Sequence, residues 1–254
     1  RAIDADPRDA AALAAHSNQT GAEPQAAESR LKTLLAAQPE SPTLNFALGN
    51  FYAAQGRWPE AQPAYFNAFV ADSDNPDYLF NLAVSLDHLR QNKSAAEYYR
   101  LALEAVLHRA GPDRILHLAA QPFPMLSWKD PQSTFRTNLT GTVALLEAVR
   151  AWGGKTRVLV TSTSAIYAVP TSATPIAEDG AQGPISPYGV SKLAADAAAA
   201  LYGLRYELEV VRARPFFIIG PRKNGDASSD FCRRIALAEF RNQDTLAVGN
   251  VDMV

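Results

Sequence analysis

The first hundred residues of this chain repeat themselves at an interval of 34 residues. The matched positions are small or apolar: Leu48 with Leu82, Gly49 with Ala83, Ala61 with Ala95, Tyr65 with Tyr99, and Ala68 with Ala102. A fixed period of this length is typical of stacked helix pairs, because each pair buries its apolar face only against the next pair. Small residues at these positions let neighbouring helices approach closely. The period therefore predicts a helical repeat array in the first half of the chain.

These segments resemble tetratricopeptide repeats. LGNFYAAQGRWPEAQPAYFNAF and NLAVSLDHLRQNKSAAEYYRLAL are two good copies, and AALAAHSNQTGAEPQAAESRLKTLLAAQP is a weaker one. The opening RAIDADP has the spacing of the end of an earlier repeat, because Ala5 and Pro7 match Ala37 and Pro39. We expect the repeat segment to span residues 1–108.

The resemblance to tetratricopeptide repeats implies a groove that binds a peptide. Asn50 and Asn81 stand where related repeats place asparagines that hydrogen-bond a peptide backbone. A purely structural role for these two asparagines is the stronger alternative, because Phe46 occupies a position where a basic residue would hold a peptide carboxylate. We expect an interaction surface whose cargo the sequence does not identify.

The pattern changes after Leu107. RILHLAAQ, RVLVTSTSAIY and LEVVRARPFFIIG are short apolar runs typical of β-strands. Between them lie two helical stretches, SWKDPQSTFRTNLTGTVALLEAVRAWG and SPYGVSKLAADAAAALYGLRY. This alternation predicts a parallel sheet with right-handed crossovers, in a second domain that spans residues 113–254.

Composition excludes several classes of function. The chain has 24 Lys and Arg against 26 Asp and Glu, a net charge of -2, so we expect neither a nucleic-acid nor an anionic-membrane partner. One cysteine and four scattered histidines give no disulfide framework and no metal-ligand spacing, and we expect no metal. There is no long apolar run and no signal-peptide pattern, so the expected setting is the cytoplasm.

SPYGVSK places Tyr188 and Lys192 four residues apart where a helix should begin. A tyrosine is a poor base at neutral pH unless a nearby positive charge stabilises its phenolate, and residues i and i+4 of a helix share a face. The spacing by itself is weak, because such pairs are usually structural. Thr163 lies 25 residues earlier, in a hydroxyl-rich strand end where open α/β folds bind ligands.

Five motifs in order carry a second resemblance: HLAAQ, DPQSTFRTNLTGT, TSTSAIY, SPYGVSK and RPFFIIGPR. With them, residues 114–250 resemble the extended short-chain dehydrogenase/reductases, the sugar-nucleotide epimerases, dehydratases and reductases. The residues of these motifs are most similar to those of enzymes that act on GDP-mannose and on its 4-keto-6-deoxy product. The fold class that we expect is therefore α-helical tetratricopeptide-like repeats followed by a partial α/β Rossmann-like parallel sheet.

The resemblance also implies roles for individual residues. Thr163 would hydrogen-bond the reacting sugar oxygen, Tyr188 would exchange its proton, and Lys192 would lower the pKa of Tyr188 and hold the nicotinamide ribose. NAD or NADP would carry the hydride. The implied cofactor-binding residues are Ala119, Ala120, Asn138, Tyr188, Lys192, Pro215 and Phe216, and the implied substrate-binding residues are Gln121, Ser164 and Phe217. For Asn138, which would orient the active-site helix through backbone hydrogen bonds, a structural role is equally expected.

Three departures narrow what the resemblance implies. Ala165 stands where a dehydratase needs a carboxylate, so reductase or epimerase chemistry ranks above dehydration. Phe217 replaces an asparagine that usually contacts the substrate. No GxGxxG or GxxGxxG occurs in the 254 residues, so the second domain lacks the Gly-rich first half and we expect weak cofactor binding, if any.

Two hypotheses follow from the sequence. The first is an NAD(P)-dependent oxidoreductase or epimerase that acts on a nucleotide sugar, and the alternative is a repeat-based peptide-binding scaffold with a catalytically inactive α/β remnant. The strand RILHLAA would lack one neighbour, which predicts a homodimer or aggregation. We expect the last repeat helix to cover this strand with Tyr98, Leu101, Ala102, Ala105 and Val106.

Overall fold

The computed structural model describes residues 24–170, 174–218, 220 and 227–241. Its first half consists of five helices: α1 (Pro24–Ala37), α2 (Pro42–Ala54), α3 (Trp58–Ala71), α4 (Pro76–His88) and α5 (Asn92–Ala110). Helices α2 with α3 and α4 with α5 form successive antiparallel pairs, which confirms the predicted tetratricopeptide architecture. The opening RAIDADP and the first part of the weak repeat lie outside the described residues.

The 34-residue period is visible in the way the helices begin. Ser41 caps α2 by accepting a hydrogen bond from the Leu44 N–H, and Asn75 caps α4 by accepting one from the Asp77 N–H. Each cap is followed by a proline in the first turn, where a missing N–H costs nothing. The same local chemistry therefore starts the first helix of each pair.

Close approach between helices fills the core of the repeat segment. Phe51, Tyr65 and Leu82 are fully buried there. A Cβ on Gly49 would lie 2.6 Å from ring carbons of Tyr65, so the glycine is needed to let α2 and α3 approach. This confirms the role predicted for small residues at the matched positions.

The second half contains three parallel strands in the order β1 (Arg114–His117), β2 (Arg157–Thr161) and β3 (Glu209–Ala213). Its helices are α6 (Pro124–Lys129), α7 (Pro131–Phe135), α8 (Gly141–Trp152), α9 (Pro187–Tyr206) and α10 (Ala227–Arg241), with a π-helical turn at Arg136–Thr140. The three strands and the parallel sheet were predicted correctly.

One predicted helix is instead a series of shorter ones. The stretch that begins with SWKDPQ is interrupted at Asp130, because the following proline disfavours a helical conformation at this residue. The Asp130 carboxylate accepts a hydrogen bond from the Ser133 N–H and starts α7. The π-helical turn then joins α7 to α8.

The sheet is covered by helices on one face. Val158 and Val160 are fully buried in a cluster that includes Leu146 and Val149 of α8. On the other face, Leu116, Leu159 and Val211 stand in register, and Leu116 and Val211 are 66% and 46% exposed. Within the described residues β1 pairs only with β2, so its outer edge is unpaired there.

Helix α5 packs against α8 and joins the apolar cluster of the sheet, but with a different face from the predicted one. Leu103 and Leu107 join the cluster that contains Ile115, whereas Val106 is exposed and Tyr98 packs against the repeat core. The predicted face was wrong for Val106 and Tyr98, because periodicity identifies a stripe on a helix but not the partner that the stripe meets. In the described residues, no helix has the length and apolar character needed to cross a membrane.

Candidate functional site

The carboxyl end of β2 forms the floor of the candidate site. Beyond Thr161 the chain stays in contact with β3, since the Ser162 N–H donates to the Ala213 carbonyl at 2.7 Å. The Ser164 N–H likewise donates to the Pro215 carbonyl at 3.0 Å. These bonds bring the predicted residues Thr163, Ser164 and Pro215 together at one edge of the sheet.

Helix α9 begins directly beside this loop. Ser186 caps the helix by accepting a hydrogen bond from the Gly189 N–H at 3.1 Å. A Cβ on Gly189 would lie 2.6 Å from the Ala165 carbonyl oxygen, so only glycine permits this approach. The half-buried Tyr188 therefore lies in the first turn of α9, next to the loop that carries Thr163.

Ser127 fixes the start of α9 from the other side. Its buried hydroxyl donates to the Pro124 carbonyl at 2.6 Å and accepts from the Tyr188 N–H at 3.0 Å. First-turn N–H groups have no partner within their own helix, so this bond satisfies one of them. Sequence reasoning missed Ser127, and its only signal was its position just before the DP of a recognised motif.

Lys192 lies one turn after Tyr188 and is 5% exposed. Its Nζ donates a hydrogen bond to the carbonyl oxygen of Thr161. Burial lowers the pKa of Lys192, and the negative charge of Asp196 acts in the opposite direction. The i and i+4 spacing places the lysine on the same face of α9 as Tyr188.

A chain of polar contacts joins β1 to the π-helical turn. The His117 Nε2 lies 3.0 Å from the Thr142 hydroxyl, which itself donates to the Asn138 carbonyl at 2.7 Å. Because the Thr142 proton is used in this way, the contact is a hydrogen bond in the tautomer of His117 that carries its proton on Nε2. Burial lowers the pKa of His117, and the positive charge of Lys192 lowers it further.

Asn138 connects the loop after β1 with helix α9. Its Oδ1 accepts from the Gln121 N–H at 2.8 Å, and its Nδ2 donates to the Gln121 carbonyl at 3.2 Å and to the Ser191 hydroxyl at 3.0 Å. The Ser191 hydroxyl donates in turn to the Tyr188 carbonyl. Asn138 thus makes backbone hydrogen bonds to the loop and reaches α9 through Ser191. It lies in a π-helical turn, a deformation frequent at functional sites.

A buried carboxylate anchors the next turn of α9. Asp196 accepts hydrogen bonds from Arg212 at 2.8 Å and from Arg214 at 2.8 and 2.9 Å. Burial acts to raise the pKa of Asp196, but the hydrogen bonds, led by that from Arg214, lower it overall. The Arg214 guanidinium also donates to the Tyr167 hydroxyl at 2.9 Å. Sequence reasoning missed this network, because nothing local links residues 16 to 18 positions apart.

The remaining predicted site residues lie around this centre. Ala119 and Ala120 precede Gln121 in the loop after β1, and Phe216 stacks against Tyr167 with ring centroids 6.2 Å apart. Phe217 is 63% exposed. The Gln121 amide is engaged with Thr134 and with the Phe123 backbone, and its substrate role stays a prediction.

The two asparagines of the predicted peptide groove lie in the repeat segment and not in the α/β half. The Asn50 Oδ1 accepts a hydrogen bond from the Tyr65 hydroxyl at 2.9 Å. The Asn81 Nδ2 donates to the Asp77 carbonyl within its own helix at 2.8 Å. These bonds are structural, and the peptide role of both residues stays a prediction.

Comparison with known proteins matches both halves of the chain. A tetratricopeptide repeat family model matches residues 13–76 and 52–114. The GDP-mannose 4,6 dehydratase family model matches residues 98–254. Helix α5 is thus matched by both models, in agreement with its packing against both halves.

Among curated proteins, the chain is 36% identical to the GDP-6-deoxy-D-mannose reductase of Pseudomonas aeruginosa over 145 residues, which cover 56% of this chain and 48% of that enzyme. It is also 36% identical to the UDP-glucose 4-epimerase of Rhizobium meliloti over 149 residues, which cover 59% of this chain and 42% of the epimerase. The chain therefore spans about half the length of the curated relatives it matches, or less.

Two solved structures agree in fold with this chain. The structure of RMD from Pseudomonas aeruginosa complexed with NADPH has a TM-score of 0.52 at 36% identity, covering 55% of this chain and 48% of that one. The UDP-glucose 4-epimerase of Thermotoga maritima with UDP-glucose has a TM-score of 0.53 at 26% identity, covering 59% and 49%. From the matched family model, which covers more than half of its residues, the chain belongs to the GDP-mannose 4,6 dehydratase family.

Proposed function

We propose that the α/β half is an NAD(P)-dependent reductase or epimerase that acts on a nucleotide sugar of the GDP-mannose type. The observation that supports this most is the position of Lys192, whose buried ammonium group lies at the end of β2 one helical turn from Tyr188. Among the described residues no carboxylate pairs directly with Lys192, and a buried lysine in that state is costly for stability, which points to a functional reason for its placement. Curated relatives with reductase and epimerase names support the reaction class.

The chain's own residues divide the work as follows. Tyr188 gives its phenolic proton to the sugar oxygen in reduction, or takes it in oxidation, and Lys192 stabilises the phenolate by its positive charge. Thr163 donates a hydrogen bond to the same sugar oxygen. A nicotinamide cofactor, when bound, supplies or accepts the hydride at the sugar carbon.

The residues fit one end of that cofactor better than the other. Lys192 and Tyr188 suit the nicotinamide ribose, and Ala119, Ala120, Asn138, Pro215 and Phe216 complete the proposed cofactor set. The sequence offers no Gly-rich turn for the pyrophosphate. We therefore propose weak affinity for NAD or NADP.

The proposed substrate side consists of Gln121, Ser164 and Phe217. Ala165 cannot remove a proton from carbon, so reduction or epimerisation is proposed ahead of dehydration. A cytoplasmic setting and a homodimer are part of the proposal, the first because of the single cysteine and the second because of the open edge of β1.

The repeats add a protein-interaction role to this proposal, with a peptide held near Asn50 and Asn81. The boundary between the segments is proposed at residues 108–113. Helix α5, which ends at this boundary, packs against both the repeat core and the apolar cluster of the α/β half. A scaffold with an inactive remnant is not favoured, because the relatives of the larger segment are reductases and epimerases.

The experiment is turnover of GDP-linked and UDP-linked sugars, among them a GDP-4-keto-6-deoxy sugar. Reduction is followed by the loss of NAD(P)H fluorescence, and epimerisation, which consumes no cofactor overall, by chromatography of the nucleotide sugar. Tyr188→Phe should lower turnover by about 10²-fold or more, the size of a general acid/base contribution. Tyr206→Phe, on the far end of the same helix, is the matched control and should keep full turnover. Equal turnover in both variants, or none in the wild type with GDP-linked or UDP-linked sugars, would refute the proposal.

A further inference from the structure

A shallow polar pocket of about 320 Å³, lined by solvent-exposed side chains, lies where the repeat segment meets the α/β half. Its lining comes from the turn between α4 and α5, through Asp87, His88, Arg90 and Asn92, and from the π-helical turn, through Arg136. Both arginines are thus held beside one cavity by different halves of the chain. The volume is at the lower end of the range for small-molecule sites.

The backbone of Arg90 is in a left-handed conformation, with φ of 61°. One period earlier the same turn position is Gly56, whose φ is 70°. Glycine adopts this conformation freely, whereas a residue with a Cβ is disfavoured there. A strained residue that persists is a reason to look for a function, and here the strained residue lines the pocket.

Neither guanidinium has a carboxylate partner in the part of the chain that the structure describes. Several other arginines of the described residues are paired, for example Arg57 with Glu28 and Arg100 with Glu104. Asp87 lines the same pocket and makes no ion pair among the described residues, so it offsets one of the two positive charges. One net positive charge remains for a ligand.

His88 is held in place rather than free to rotate. Its ring stacks on the Trp58 indole, with centroids 3.7 Å apart and planes 5° from parallel. The Asn92 side chain adds an amide donor to the same wall. The pocket therefore offers forked guanidinium donors, an amide and a fixed imidazole.

We infer that this pocket binds a phosphate group, contributed either by inorganic phosphate or by a small nucleotide. Arginine guanidinium groups match phosphate oxygens in a two-point, charge-assisted geometry. A phosphate carries enough negative charge to bridge two guanidinium groups and to outweigh Asp87. Because the ligand contacts both halves, it stabilises the junction between the repeats and the sheet. This inference does not depend on the proposed catalytic function.

The test is calorimetric titration of the whole chain with inorganic phosphate, pyrophosphate and a nucleoside diphosphate, at constant ionic strength in a chloride buffer. The wild type should bind, and Arg136→Gln should weaken binding by about tenfold or more, the effect of losing a charge-assisted two-point contact. Arg30→Gln, an exposed arginine of α1 away from the pocket, is the matched control and should keep the wild-type affinity.

Arg90→Gly gives a second, opposing signature. Glycine relieves the backbone strain, so the variant should melt at a higher temperature than the wild type in phosphate-free buffer, yet bind phosphate more weakly. A nucleoside diphosphate that binds no tighter than pyrophosphate identifies the phosphate group as the whole ligand, and a tighter one identifies a nucleotide. Equal affinity in all variants, or no binding to the wild type, would overturn the inference.

Discussion

The repeat segment and the α/β segment bury different kinds of residue. Among the described residues, the repeats bury two polar side chains, Asn45 and Ser85. The α/β segment buries a larger polar set: Ser127, Thr134, Asn138, Thr142, Ser162, Ser191, Lys192 and Asp196. Buried polar groups stabilise a fold only when they are satisfied, so they concentrate where a precise arrangement is needed. The repeats are built around an apolar core, and the other segment is built around a set of buried polar groups.

The two segments also differ in how they complete their cores. Each repeat helix packs against helices that lie within about one period of it in the chain, so the core of the array is built from local contacts. The parallel sheet depends on strands far apart in sequence, and its described part leaves one edge of β1 and the Leu116 side of the sheet uncovered. Local periodicity therefore specifies the first segment more completely than the second.

The largest effect is expected from Asp196→Ala in the α/β segment. It removes the buried acceptor of Arg214, whose side chain is only 14% exposed, and leaves that guanidinium without its partner. We expect the free energy of unfolding to fall by about 4 kcal/mol, in urea titrations. Glu209→Ala breaks the exposed ion pair with Arg157 and should change the free energy of unfolding by less than about 1 kcal/mol. Similar losses of unfolding free energy in both variants would show that the Asp196 network stabilises the fold no more than the exposed Glu209–Arg157 pair does.

The shared helix α5 sharpens the comparison between segments. Leu107→Ala should lower the free energy of unfolding by about 3 kcal/mol, because it opens a cavity among α5, α8 and the sheet. Leu82→Ala should have a similar effect within the repeat core. Hydrogen exchange then separates the two, since only Leu107→Ala should speed exchange in β2. Exchange that rises equally in β2 for both variants would mean that the segments unfold as one unit.

Gly49→Ala tests the close approach of α2 and α3. An alanine normally stabilises a helix relative to glycine, but here its Cβ would collide with Tyr65, so we expect a loss of about 2 kcal/mol. Gly203→Ala is the control in α9, where the new Cβ meets only the Leu208 carbonyl at 3.5 Å. That variant should gain up to about 1 kcal/mol. A gain in both would contradict the packing described for the repeats.

The smallest effect is a pH dependence of the repeat segment. Hydrogen bonds from Arg57 and Lys32 lower the pKa of Glu28 to about 2. Because the folded pKa lies below the unfolded value, this stabilisation is full above pH 4.5 and is lost as the pH falls toward 2. Solvent screening limits the loss to about 1 kcal/mol.

Thermal unfolding between pH 5 and pH 2 measures this loss. Glu28→Gln should reduce the pH dependence of the melting temperature in that range. An unchanged pH profile in the variant would show that the Glu28 pairs contribute nothing.

The sequence predicted the elements of the fold, while the roles of the site residues stay predictions. The 34-residue period fixed the helix pairs, and hydroxyl-rich strand ends with SPYGVSK located Thr163, Tyr188 and Lys192. It did not predict Ser127, whose contact with Tyr188 joins residues 61 positions apart. It also chose the wrong face of α5, because periodicity identifies stripes on a helix but not the partner that each stripe meets.

The most direct test of the difference between the segments is native-state hydrogen exchange of the whole chain, at a concentration where sedimentation reports a monomer. We predict strong protection of amides in α2 to α4 and in β2, with loop-like exchange for about half of the amides from Ile115 to Leu118, since backbone groups on an open strand edge face solvent. Uniform protection of Ile115 to Leu118 in the monomer, equal to that of Val158 to Val160, would contradict the account.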